Sequence, residues 1–303
     1  MKKFDQSREI SLFIEKLRAY RNLTLEEFLH DIVSIRQYRR YLSGDSTLSY
    51  LILDNLATRL GFSAEYVIME LETEKIKQSK SVSDLYNSIV TNDLERAKNL
   101  FLEIDERHLI SENSVLLFKH SKNMFDYVSG INSQLVTINR TKKLINLDQL
   151  LKRKALSSSE LLILVSFFYF DKYKEINIIA ERLASYVDNH ISIVTGHNIK
   201  VVTLVLEELA RYYSITSNYE KMLYYATEGI RYSQSIKSYY LLSRLYYLAG
   251  AASHELNLFD QRDKHLTSCL HILNVEGNDQ MIAHFKRLFK ERFNVDASQL
   301  LTL

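Results

Sequence analysis

Apolar residues recur at helical spacing from the start of the chain. Ile10, Phe13, Ile14 and Leu17 stand at i, i+3, i+4 and i+7, which gives a first helix one buried face. Lys16, Arg18 and Arg21 gather towards its end, where cations complement the helix dipole. Thr24, with Glu27 three residues on, has the spacing of a capping box and opens a second helix with Leu25, Phe28, Leu29 and Ile32 as its apolar positions. Ser34 and Gln37 repeat that spacing at the start of a third helix. Gly44 then provides a turn. A fourth helix carries Leu53, Leu56, Ala57 and Leu60 and closes at Gly61, where a left-handed cap is expected, and Ser63 opens a fifth with Tyr66, Val67 and Met69.

From about residue 80 the pattern is helix after helix, and a repeat emerges when an aromatic residue or Leu just after a polar turn is taken as the anchor. The anchors are Leu94, Leu135, Tyr173 (after Asp171 and Lys172), Tyr219 and Phe259, spaced by 41, 38, 46 and 40 residues. Ala210 and Gly250 lie nine residues before Tyr219 and Phe259, and small residues there let two helices of a hairpin approach closely.

Composition narrows the fold class. The 303 residues contain no Pro and only seven Gly, whereas a β-rich chain of this length needs many tight turns built from both. The expectation is an all-α protein. Its formal charge is +2, and residues 1–70 hold ten Lys/Arg against ten Asp/Glu. Any contact with a polyanion must come from a local cluster, in two copies. One Cys, Cys269, excludes an internal disulfide and suits a reducing cytosol; no export leader is expected ahead of the first helix. The longest apolar stretch, 161–165 with 167–170 behind Ser166, is about half of the roughly 20 residues a membrane span needs, so no membrane association is expected. No phosphate loop, HExxH or CxxC occurs. His265 and Cys269, with His271 nearby, make half a metal site without further ligands, and His190 and His197 are expected to face solvent. No enzyme activity and no cofactor are expected.

The third helix divides by face. Ile35, Tyr38 and Leu42 recur at helical spacing and are expected to pack inward, leaving Arg36, Gln37, Arg39 and Arg40 outward. Arg matches guanine O6/N7 and Gln matches adenine N6/N7 in the major groove, and spare guanidiniums hold phosphates. Five short helices with a tight link between the second and third resemble the lambda-repressor-like, XRE-type helix-turn-helix family. Leu23-Thr24-Leu25-Glu26-Glu27-Phe28 is similar to its LTxEEL opening of helix 2, and Val33-Ser34, Ser43-Gly44, Leu56-Ala57, Leu60-Gly61 and Ser63 follow in register over about residues 8–70. The resemblance implies DNA contacts at Arg36, Gln37, Arg39 and Arg40, with Ser34 and Thr24. Leu25 and Leu42 stand where the family has a Gln and an acidic residue.

The repeats resemble degenerate tetratricopeptide units, which implies a right-handed helical-repeat superhelix whose first helices line a concave side. In that register the groove positions are His120, Asn123 and Tyr127 in the second unit, Glu207 and Arg211 in the fourth, and Arg244, Tyr247 and His254 in the fifth. An Asn amide pairs with a peptide backbone and Arg binds a carboxylate. The expected layout is a DNA-binding domain at 1–72, a linker at 73–80 and a sensor and dimerisation domain at 81–303. That two-part order resembles the Rgg/PlcR/PrgX (RRNPP) group of peptide-pheromone-responsive regulators. The resemblance implies a homodimer in the cytoplasm that binds an inverted-repeat DNA operator and a short signalling peptide in quorum sensing. A phage arbitrium-type receptor shares the layout. The rival from another class is a protein-interaction scaffold that has lost DNA binding, to which Leu25 and Leu42 point.

Overall fold

The computed structural model describes residues 6–170, 173–190, 199–277 and 279–300. Every regular element among them is helical, and the chain divides into two compact units, 1–145 and 146–303. The Asp171 and Lys172 turn, His197 and the side chain of His190 lie outside the described residues.

The first unit opens with five helices: α1 (Ser7–Tyr20), α2 (Leu25–Leu29), α3 (Ile35–Ser43), α4 (Tyr50–Arg59) and α5 (Ala64–Val90). Helices α2 to α5 each begin where the sequence offers a cap. Thr24 and Glu27 form the capping box of α2, while Ser34, Ser49 and Ser63 accept the N3 amides of α3, α4 and α5. Ile14, Phe28, Tyr38, Leu56, Leu60 and Val67 close the core between them, with the Phe28 and Tyr38 rings edge to face at 5.9 Å. Each such side chain contributes about 1.5–3 kcal/mol by leaving water.

Residues 73–80, expected as a linker, are central turns of α5. Lys16 pairs with Glu74 at 2.8 Å and Lys75 with Glu9 at 2.8 Å, which ties this stretch to α1. The same helix then contributes Val82, Leu85, Tyr86 and Ile89 to the packing with α6 (Leu94–Glu103) and α7 (Glu112–Val128), and α8 (Gln134–Ile145) lies against α7.

The second unit contains α9 (Leu147–Leu150), α10 (Ser158–Ser166), α11 (Ile176–His190), α12 (Ile199–Ile215), α13 (Tyr219–Ser235), α14 (Leu242–Glu255), α15 (Phe259–Glu276), α16 (Asp279–Phe293) and α17 (Ala297–Leu300). The apolar run at 161–165 is buried all round in α10, and no helix among the described residues is long and apolar enough to cross a membrane. Successive hairpins α12–α13 and α14–α15 pack most closely. In the second of these Gly250 allows the approach: a Cβ there would lie 2.6 Å from Leu266 Cδ2 on α15.

The anchors Leu94, Tyr219 and Phe259 each open the second helix of a hairpin. The turns before them share one geometry. Asn92, Ser217 and Asn257 adopt φ of 61°, 55° and 59°, and the next amide closes back on Ser88 O, Tyr213 O and Ser253 O at 2.8, 2.9 and 2.8 Å. These are Schellman closures with Asn or Ser in place of the usual Gly, which is how a chain with seven Gly makes so many turns.

Candidate DNA interface and ligand-sensing surface

Helix α3 is held from behind by one network. Tyr38 Oη donates to Glu15 Oε2 at 3.1 Å, and Arg18 Nε donates to the same oxygen at 2.9 Å. Burial against Glu15 pushes the Tyr38 phenol pKa upward, so this anchor stays a donor. Tyr41 is buried, while Ile35 and Leu42 pack against the core from its edge. The inward face therefore includes Tyr41 beside Tyr38, a position the spacing rule passed over.

On the outward face the four polar residues divide into two pairs. Gln37 Nε2 donates to Ser46 Oγ at 2.8 Å, and Arg40 reaches Gln37 Oε1 at 3.4 Å and Asp45 O at 3.5 Å. Arg36 and Arg39 are exposed and make no hydrogen bond or ion pair among the described residues. Three residues apart, they share one helix face. Their guanidiniums keep every donor for an incoming anion or base edge, whereas Gln37 is braced by the turn after the helix. Ser34 supplies the cap, accepting the Gln37 amide at 3.2 Å. The Thr24 backbone amide and hydroxyl each donate to Glu27 Oε2 at 2.8 Å inside the capping box, and these bonds hold the Glu27 carboxyl below its ordinary pKa. Arg59 closes the other end of α2, donating to Glu27 O at 2.7 Å and His30 O at 2.9 Å. The positive φ of Asp31, 59°, then makes the turn into α3. Leu25 and Leu42 both pack against the core, so the two substitutions that point to a scaffold fill space rather than remove an exposed contact.

The expected groove residues fall into three surroundings. His120 and Asn123, expected to face outward, point inward between α7 and α8 and are buried. Asn123 Nδ2 donates to Thr137 O at 2.9 Å and Thr141 Oγ1 at 2.8 Å, and the His120 ring lies 5.9 Å from that of Tyr86. Burial lowers the His120 pKa to about 3, so the ring is neutral. Tyr127, a turn further on, is half-buried. Helix α7 is enclosed by α5 and α8, so its polar stripe fills a helix interface instead of facing a groove. Tyr247 and His254 are half-buried against α16. Phe285 and Phe293 of α16 lie 5.1 and 6.0 Å from the Tyr247 ring, and Phe293 lies 5.1 Å from His254.

The remaining three form a charged cluster with a fourth member. Glu207 and its neighbour Glu208 on α12 are 2% and 3% exposed. Arg211 Nη1 bonds Glu208 Oε1 at 2.9 Å, and Arg244 Nη1 from α14 stands 3.8 Å from Glu207 Oε1. Both guanidiniums keep about half of their side chains in solvent. Burial raises the pKa of both carboxyls, Glu208 to about 7. Tyr169 and Tyr240 border the cluster, their phenols pushed up by burial. Cys269 is buried, and among the described residues no group of three His, Cys, Asp or Glu could hold a metal ion.

No family model matches the chain, and no curated protein matches it. Solved structures do. The chain is similar in fold to the competence regulator ComR. The apo form from Streptococcus vestibularis superposes with a TM-score of 0.56 at 15% identity, covering 94% of this chain and 98% of that one. ComR from S. thermophilus, in complex with DNA and its signalling peptide ComS, gives 0.54 at 16% identity, covering 92% and 97%. The SHP pheromone receptor Rgg2 of Streptococcus dysgalactiae gives 0.51 at 14%, covering 93% and 99%. The likeness extends through both compact units, so the all-α helical-repeat class expected from the sequence is the class observed.

Three residues escaped the sequence reading. Tyr41 is the second aromatic under α3, Arg59 clamps α2, and Glu208 doubles the buried negative charge beside Glu207. Only Glu208 carried a usable signal, because two adjacent carboxylates in a strongly apolar helix always need partners.

Proposed function

We propose that the chain is a DNA-binding transcription regulator whose helical-repeat part receives a short signalling peptide. It acts in the cytoplasm as a homodimer on an inverted-repeat operator. The reading head is residues 1–72, and the sensor comprises the repeats from residue 81 on. The observation that carries the reading is the face of α3, on which Arg36 and Arg39 stand exposed and uncommitted above a core that locks the helix. The fold of ComR crystallised with DNA and its signalling peptide, matched over nine-tenths of both chains, supports the pairing of reading head and sensor. Arg36 and Arg39 supply base and phosphate contacts, Arg40 a further phosphate contact, and Gln37 a base contact through its braced amide. Ser34 and Thr24 act mainly as caps. The dimer follows from charge: a head with ten cations against ten anions makes too few phosphate contacts alone.

The test is selection of duplexes from a random-sequence pool by the full chain, followed by footprinting and measurement of mass in solution. The expected result is an inverted repeat with half-sites about one helical turn apart, bound by a dimer. A monomer with single half-site footprints removes the dimer, and a pool that yields no enriched sequence removes the regulator reading.

A further inference from the structure

The sequence suggests that Arg211 and Arg244 select a carboxylate. The structure assigns the opposite polarity: we propose that the ligand of the second unit presents a cation, a primary ammonium, to Glu207. This inference rests on the peptide-receptor reading above.

The two arginines already have work. Arg211 is hydrogen-bonded to Glu208, and Arg244 is the one cation within ion-pair range of Glu207 among the described residues. At 3.8 Å that second contact is too long for a hydrogen bond. Glu207 Oε2 has no hydrogen-bond donor among the described residues, although its side chain is 2% exposed. One turn earlier on the same face of α12, Thr203 Oγ1 is also buried and without a partner. Two buried oxygens one turn apart on the same face of α12, a carboxylate oxygen and a hydroxyl, therefore have no partner among the described residues. A buried acceptor left unsatisfied is costly, and a buried carboxylate more so. A guest carboxylate would deepen that deficit. An ammonium brings three donors and the opposite charge, enough for Glu207 Oε2 and Thr203 Oγ1 together. Arg244, half in solvent and loosely held, is the contact such a cation shares or displaces.

The charged and titratable groups around the site all predict one proton signature. Burial raises Glu208 to about 7 and raises Glu207; Arg211 stays charged, and Tyr169 and Tyr240 stay protonated. An arriving cation lowers the carboxyl pKa values and expels a proton, whereas an arriving anion takes one up.

The experiment uses the full chain and positional-scanning heptapeptide pools, read by thermal shift and then by calorimetry near pH 7 in phosphate and in Tris. Pools with a free amino terminus or a fixed Lys are expected to stabilise the protein and to release protons on binding. N-acetylation abolishes the effect if the terminus is the cation; norleucine in place of Lys abolishes it if the side chain is. Glu207→Gln is expected to weaken binding by about ten-fold or more. The calorimetry on the unaltered chain decides the matter if that variant does not fold. Proton uptake, a preference for acidic pools, or equal binding to a folded Glu207→Gln protein overturns the proposal while leaving the receptor reading intact. Stabilisation by no pool removes the receptor reading, and this proposal with it.

Discussion

Arginine does opposite work in the two units. On α3, Arg36 and Arg39 are solvated, unpaired and expendable to the fold, so their charge is wholly available to a polyanion. On α12 and α14, Arg211 and Arg244 are half-withdrawn from water and engaged with two buried carboxylates. The first pair is a surface waiting for a partner; the second is part of a paired but incompletely hydrogen-bonded interior. Residue type alone assigned all four to ligand contact. Solvation separates them.

The largest expected effect breaks the comparison on the α3 side. Arg36→Ala with Arg39→Ala should weaken binding to the selected operator by about 2–5 kcal/mol while changing the melting temperature little, because neither side chain supports the core. A fluorescence-anisotropy titration over a range of salt checks this, and the loss of phosphate contacts should also flatten the salt dependence. If binding survives, the head reads DNA through another face.

On the other side, Arg244→Met should destabilise the fold by about 1–3 kcal/mol in urea melts, below the cost of breaking a fully buried pair because Arg244 is half exposed. Adding Glu207→Gln should restore most of the loss. If the double variant is no better than the single one, the arginine acts by packing and not by charge.

A smaller effect concerns pH. The folded-state pKa of Glu208 is raised to about 7 from an ordinary 4.5, so the folded chain holds a proton that the unfolded chain has released. The stability tied to that proton is full below pH 4.5 and is lost as pH rises towards 7. Glu208→Gln should flatten this slope in melts between pH 5 and 7.5. An unchanged slope would place the titrating group elsewhere.

The smallest effect tests the caps. Thr24→Ala should cost about 1 kcal/mol of stability and leave the salt dependence of DNA binding unchanged. A reduced salt slope would show that Thr24 touches phosphate after all.

Local chemistry explains which features could be read in the sequence. A cap is decided by residues three apart, so Thr24 with Glu27, Ser34 and Ser63 were visible at once. The hairpin anchors were visible because each follows a turn, although the left-handed Asn92, Ser217 and Asn257 that make those turns were not. Burial of a polar face depends on which helices enclose it, and spacing carries no such information. His120 and Asn123 have the periodicity of an exposed stripe, but α8 covers them; Tyr247 and His254 look equally open until the phenylalanines of α16 are in place. The stretch 73–80 has few apolar residues and so resembles a tether, yet the ion pairs of Lys16 and Lys75 secure it as helix.

Helix α5 thus acts as a drive shaft. Its 27 residues extend about 40 Å, with one end set in the core of the reading head and the other among the first hairpins of the same unit. A shaft transmits angle as well as length. Each residue inserted near 79, beyond the ion-paired turns, would advance the head by about 1.5 Å and turn it through about 100° relative to those hairpins. Seven inserted residues would bring it back to within about 20° of its original phase. The angular phase of α3 is therefore written in the residue count of this helix, and DNA affinity measured across a ladder of insertions should vary with the helical period instead of decaying smoothly with length.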